Sequence, residues 1–144
     1  MARDIPLTEI TLRRYEKPYE VSKRELIRKI CLSLGLLQPG DSRDIIVDII
    51  LILEEARKNK HGLTSFSIRD KVENIKKEKT GLAESNIRRQ LKRLRDIMLV
   101  DKQNNEYRIS EFAPIKELFE SKIERFIIPQ AIERIKEYLG KLGD

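Results

Sequence analysis

The stretch LAESNIRRQLKRLRDIMLVDKQNNEYRIS, residues 82–110, decides the fold. Within it Ile87, Leu91, Leu94 and Met98 recur at spacings of four, three and four, which places them on one side of an α-helix. This predicts a helix over residues 84–98 with that side docked on a core. At about 100° per residue, Ser85, Arg89, Lys92 and Arg93 point away from it. Arg88 and Arg95 fall on one flank, Asn86 and Gln90 on the other. Five basic residues stand against the single acid Glu84 over residues 84–95, so the outward side is cationic. Glu84 lies in the first turn, where the helix dipole favours an anion. Directly after the helix, residues 99–102 and 106–109 flank Asn104-Asn105. A two-residue loop there suits a type I′ hairpin, because Asn tolerates positive φ. That register sets Val100 opposite Ile109 and Asp101 opposite Arg108, an apolar pair on one face and a charge pair on the other.

A basic helix running into a short hairpin suits double-stranded DNA. The major groove admits a helix, Arg can contact guanine in bidentate fashion, and Asn or Gln can do so to adenine. Lys and Arg on the same helix neutralise phosphates, and residues near the start of such a helix reach base edges. Ser85, Asn86 and Arg89 are therefore the candidates for bases. Arg88, Lys92 and Arg93 are candidates for backbone or mixed contacts, and Lys102, Gln103 and Asn104 of the hairpin for the backbone or minor groove. The alternative for each is a solvated, merely basic surface.

Residues 82–110 resemble the recognition helix and wing of prokaryotic winged helix-turn-helix regulators, especially archaeal MarR-, ArsR- or PadR-like ones. The matching positions are Ser85, Asn86, Ile87, Leu91, Leu94, Leu99, Val100, Tyr107 and Ile109. The resemblance extends over roughly residues 43–110. It implies a mainly α protein built on a winged helix with a small β-hairpin wing; residues 1–42 match no family, and the flanking sequence adds extra N- and C-terminal helices. It further implies a transcriptional regulator that dimerises on palindromic sites. Two features depart from the pattern. Met98 stands where those proteins carry Gly, which leaves the helix exit open. The preceding helix is long, which leaves the angle between the two helices open.

Upstream, Pro6 and Pro18 bracket a stretch in which Ile10 and Leu12 alternate with Thr11 and Arg13. This fits a short strand or an extended arm, either a strap on the domain or, through Arg13, Arg14 and Lys17, a DNA contact. Ser22-Lys23-Arg24-Glu25 is a capping box opening a helix through Leu26, Ile27, Ile30 and Leu34, with Gly35 as its left-handed exit. Gln38-Pro39-Gly40-Asp41 is a turn. A second helix is predicted over residues 43–60, capped by Asp41 or Ser42 and ended by His61-Gly62. Its apolar residues cover more than one stripe, as in a central helix. Leu63 to Phe66 fit a short strand. Ser67, with Asp70 in the box position, then caps a helix whose stripe is Ile68, Val72 and Ile75, stopped by Thr80-Gly81.

Downstream, Pro114 opens a helix with a stripe of Ile115, Leu118, Phe119, Ile123 and Phe126, and Pro129 kinks or restarts it. Ile132, Ile135, Leu139 and Leu142 follow at spacings of three, four and three, a short coiled-coil-like seam. That seam folds back on residues 22–37 or pairs with a second chain as a homodimer. The chain thus divides into an N-terminal arm and helix (1–41), a winged-helix domain (42–110) and C-terminal helices for dimerisation (111–144).

In 144 residues, 40% are hydrophobic and 38% charged, enough for a core under a densely charged surface. The net charge of +6 favours an anionic partner. Cys31 is the only cysteine. It can form no internal disulfide and reads as a small buried hydrophobe, which with the absence of a signal-like or membrane-length apolar run suggests a cytoplasmic protein. His61 is the only histidine and reads as a helix-end residue. No phosphate loop, metal-ligand cluster or His-based triad is visible, so the sequence predicts no enzyme, no metal and no cofactor. The expected partner is double-stranded DNA. The alternative function is a protein-interaction winged helix in a transcription or replication assembly, with a protein as partner.

Overall fold

The computed structural model describes residues 2–76 and 82–144. An extended N-terminal arm leads to α1 (Lys23–Ser33) and α2 (Ile45–Lys58). Then come β1 (Leu63–Thr64), α3 (Ser65–Ile75), α4 (Glu84–Asp96), β2 (Val100–Gln103) and β3 (Glu106–Ile109). The chain ends in α5 (Ile115–Leu118), a π-helical segment (Phe119–Ile127) and α6 (Ile128–Leu142). The protein is mainly helical, with one small antiparallel sheet in the order β1-β3-β2. The fold contains no helix, among the described residues, long and apolar enough to cross a membrane.

α2 is central, as its broad apolar surface predicts, and it contacts α1, α3, α4 and β3. Its buried residues run from Ile45 to Leu53 and include Asp48, only 2% exposed. A buried carboxylate is costly unless paired, and Arg24 of α1 grips Asp48 with two bonds of 3.0 Å. The Lys76 ammonium lies 3.5 Å from the same carboxylate. Asp44 joins the cluster through Arg24, Arg28 and Lys76. This explains why the expected cap of α2 fails. Asp44, rather than Asp41 or Ser42, precedes the helix, and its carboxylate serves the ion cluster instead of the helix N–H groups. Asp41 meanwhile accepts from the Gln38 N–H within the predicted turn.

Three helices leave in the same way. In α1 the Gly35 N–H donates to Leu32 O and the Leu36 N–H to Cys31 O, with Gly35 at φ +71°. This paired pattern satisfies the last carbonyls. Ser22 caps the other end, its Oγ accepting from the Glu25 N–H at 3.1 Å. The identical exits of α2 and α4 turn on Lys60 (φ 54°) and Met98 (φ 67°), each at a cost of about 1 kcal/mol relative to glycine. Lys60, not His61-Gly62, therefore ends α2. Gly35 carries a second constraint: a Cβ there would collide with Thr11 of the arm.

The arm is a strap and forms no strand. The Arg13 guanidinium donates to Leu32 O and Leu37 O, and its backbone N–H to Ser33 O. Ile10 and Tyr15 pack on the core. Cys31 is fully buried, and burial pushes its thiol up to about 12. His61 is exposed beyond α2.

α3 begins earlier than expected. Thr64 accepts from the Ser67 N–H at 3.0 Å, so Thr64 is the cap and Ser67 lies inside the first turn. The strand accordingly stops at Thr64 and leaves Phe66 exposed. Ile68 and Val72 are buried but Ile75 is exposed, because the helix ends there and Lys76 turns extended. The predicted stop at Thr80-Gly81 and the run through residues 77–79 lie outside the described residues.

Beyond the sheet, Leu118, Ile123 and Ile127 are buried. Their spacings of five and four match a wide π turn, not an α-helix, so Ile127 takes the place expected of Phe126, which is exposed. Pro129 does not interrupt the rod. It sits in the first turn of α6, and the Ile128 N–H just before it donates five residues back to Ile123 O.

Candidate nucleic-acid interface

α4 is set in place by α3. Ser65 Oγ donates to Glu84 Oε1 at 3.2 Å, and Arg69 Nε donates to Leu82 O at 2.6 Å. The docked side of α4 consists of Ile87, Leu91 and Leu94, all fully buried. The fourth position is Ile97 and not Met98. The helix proper ends at Asp96, and the left-handed turn at Met98 swings that side chain to a half-buried place. The exit is thus the one a glycine would give, with methionine in the role.

The outward side exposes Ser85, Arg88, Arg89, Lys92 and Arg95. Two of these cations meet acids one turn away: Arg88 reaches Glu84 at 2.9 Å and Lys92 reaches Asp96 at 3.1 Å. Exposed pairs of this kind are worth about 0.3–0.5 kcal/mol, too little to hold the cations against a polyanion. Arg89 donates to Asn86 Oδ1 at 2.7 Å. Among the described residues Arg95 meets no carboxylate. The helical wheel places it on a flank, outside the candidate contacts.

Asn86 and Arg93 are half-buried, and the tertiary structure explains why. The loop from α1 to α2 runs beside them and forms a groove of about 470 Å³ with Arg43, Lys76, Asn86, Arg89, Gln90 and Arg93 on its walls. Arg93 donates to Gln90 Oε1 at 2.8 Å and to Gly35 O at 3.4 Å. It braces the α1 exit more than it faces outward. Arg43 enters this groove, which Asp41 and Asp44 also line, from a loop whose position the helical wheel of α4 could not indicate.

The hairpin has the predicted register: Val100 pairs with Ile109, Asp101 with Arg108, and Gln103 with Glu106. Arg108 Nε lies 2.7 Å from Asp101 Oδ1. Its turn differs from type I′, which needs positive φ at both loop residues; only Asn104 has it, at 57°. Lys102, Gln103 and Asn104 are exposed, with the Lys102 ammonium over the Tyr107 ring at 5.4 Å. A shallow groove joins this hairpin to α4, bringing Lys92, Arg95, Lys102 and Lys122 together with Asp96, Asp101 and Glu111.

The expected dimerisation residues Ile132, Ile135, Leu139 and Leu142 lie on α6, far down the chain from this surface. They do not fold back on residues 22–37: no residue of α6 is buried. Among the described residues no group of three or more His, Cys, Asp or Glu could hold a metal ion. The chain matches no known family model, no curated protein and no solved structure.

Proposed function

We propose that residues 42–110 are a winged helix-turn-helix that binds double-stranded DNA, with α4 in the major groove and the β2–β3 hairpin beside it as a regulator's wing. The exposed cationic side of α4, opposite a fully buried aliphatic side, carries this reading. The order α2-β1-α3-α4-β2-β3 and the sheet order β1-β3-β2 support it. Arg88, Arg89 and Lys92 supply affinity, Ser85 faces the bases, and Lys102, Gln103 and Asn104 touch the backbone. Asn86 reads a base only from the edge of its groove, and Arg93 acts chiefly as a brace. The reading is of a cytoplasmic transcriptional regulator with no catalytic role.

The test is a mobility-shift titration with duplex DNA at several salt concentrations. About four neutralised phosphates give a log–log salt slope of roughly −3 to −4. Arg89→Ala with Lys92→Ala should abolish the shift at 0.15 M salt while the circular dichroism melt stays unchanged. A double variant that binds like the parent sinks the assignment. The uncovered apolar side of α6 favours a second reading, a protein-interaction subunit; that reading expects no duplex binding at any salt.

A further inference from the structure

The groove between the α1–α2 loop and α4 carries a charge imbalance that its own side chains leave unsettled. Its charged residues are Arg43, Lys76, Arg89 and Arg93 against Asp41 and Asp44. Asp44 and Lys76 are engaged with each other and with Arg24, Arg28 and Asp48 in the buried cluster. The Asp41 carboxylate accepts from the Gln38 N–H at 2.9 Å. Against this one remaining acid stand three guanidiniums, those of Arg43, Arg89 and Arg93. None of the three meets a carboxylate among the described residues.

These arginines are held in place. Asn86 Oδ1 accepts from Arg89 at 2.7 Å and from Gln90 Nε2 at 3.1 Å, and Gln90 Oε1 accepts from Arg93 at 2.8 Å. The ladder along α4 consists of neutral amides, which fix the two guanidiniums without cancelling their charge. The loop is fixed as well. The Asp41 N–H donates to Gln38 O at 3.0 Å, Arg28 donates to Asp41 O at 3.1 Å, and Asp44 is anchored in the ion cluster. Arg43 thus projects from a firm base. A guanidinium carries five N–H donors, so most donors in the groove find no acceptor among the described residues. Like charges gathered in one groove repel, and a bound anion relieves that repulsion.

We propose that this groove binds a phosphate group, clamped between Arg43 and Arg89 while Arg93 adds its charge from the wall it braces. Guanidinium forks match phosphate oxygens in bidentate pairs. A tetrahedral phosphate offers acceptors to forks arriving from two elements, more than a planar carboxylate does. At about 470 Å³ the groove is larger than a bare phosphate, so an ester fits. The ester is the backbone of a duplex lying along α4 or a free phosphorylated ligand. The first source rests on the DNA reading above; the second does not.

The test is an NMR titration of the full chain with inorganic phosphate at constant ionic strength, read at the arginine Nε–H signals. Those of Arg43 and Arg89 should shift and saturate. In Arg43→Ala the Arg89 signal should need about tenfold more phosphate, the usual loss for one charge-assisted bond. Arg88→Ala, on α4 but outside the groove, should titrate like the parent. The Arg43 side chain bonds to nothing among the described residues, so its variant should melt with the parent by circular dichroism.

Duplex titrations then identify the source. A salt slope about one unit shallower in Arg43→Ala, whatever the duplex sequence, assigns the phosphate to the DNA backbone. Unchanged duplex binding beside weakened phosphate binding assigns it to a free ester. A parent that saturates with phosphate yet binds no duplex removes the DNA reading and keeps the phosphate site. Shifts that never saturate, or an Arg43→Ala chain that titrates like the parent, overturn the inference.

Discussion

α4 and α6 are two amphipathic helices of nearly equal length, 13 and 15 residues, with opposite fates. In α4 the aliphatic side is sealed against α2, α3 and the hairpin, and the charges face solvent. In α6 both sides face solvent beyond Ile128, which packs on the core. The sequence pattern of the two is alike; what differs is whether the chain supplies an opposing surface. Periodicity therefore identifies the apolar side of a helix and leaves its cover undetermined.

The largest effect should separate the two helices by packing. Leu91→Ala empties a fully buried site and should cost about 2–5 kcal/mol in denaturant unfolding. Leu139→Ala, measured at a concentration low enough to keep the chain monomeric, should cost less than about 0.5 kcal/mol. Equal costs would mean that α6 is packed within the single chain, and the contrast would vanish.

The same contrast can be drawn with charge. Burial pulls the Asp44 carboxyl upward, but Arg24 and Lys76 outweigh it and hold its pKa below the ordinary value. Stability from this pair is complete above the usual carboxylate pKa of about 4 and is lost as pH falls through the lower folded value. Acid titration followed by circular dichroism should show that loss, reduced in Asp44→Asn. Glu137→Gln, which removes an exposed ion pair on α6, should leave stability nearly unchanged.

The smallest effect concerns the outward side of α4. Asp96→Asn removes the partner of Lys92 and should change stability by no more than about 0.5 kcal/mol. In the duplex titration it should tighten binding a few-fold at low salt. Weaker binding would mean that Asp96 helps to position Lys92 rather than competing for it.

Features governed by neighbours in sequence were legible. The Ser22 cap, the Gly35 exit, the hairpin register and the buried side of α4 each follow from residues within a few positions. Errors arose where a local rule had two solutions. Thr64 and Ser67 can both cap, and the structure takes the one that also ends β1. Lys60 and Met98 adopt a glycine conformation because the carbonyls at the ends of α2 and α4 need those bonds. Phe126 lost its place to Ile127 because the π turn shifts the stripe by one residue, which an α-helical period does not anticipate. In the candidate interface, Arg88, Arg89 and Lys92 were legible from the wheel of α4 alone. The screening of Asn86 and Arg93 was not, since it depends on a loop some fifty residues earlier.

The sequence by itself determined which side of each helix is apolar, where the hairpin pairs, and that one helix carries an excess of cations, because these are matters of spacing along the chain. Tertiary structure alone decided which cations stay in solvent, which residue carries each left-handed exit, and that α6 finds no cover within its own chain. Those outcomes depend on surfaces that distant segments bring together, and the energy of burial is settled only when two such surfaces meet.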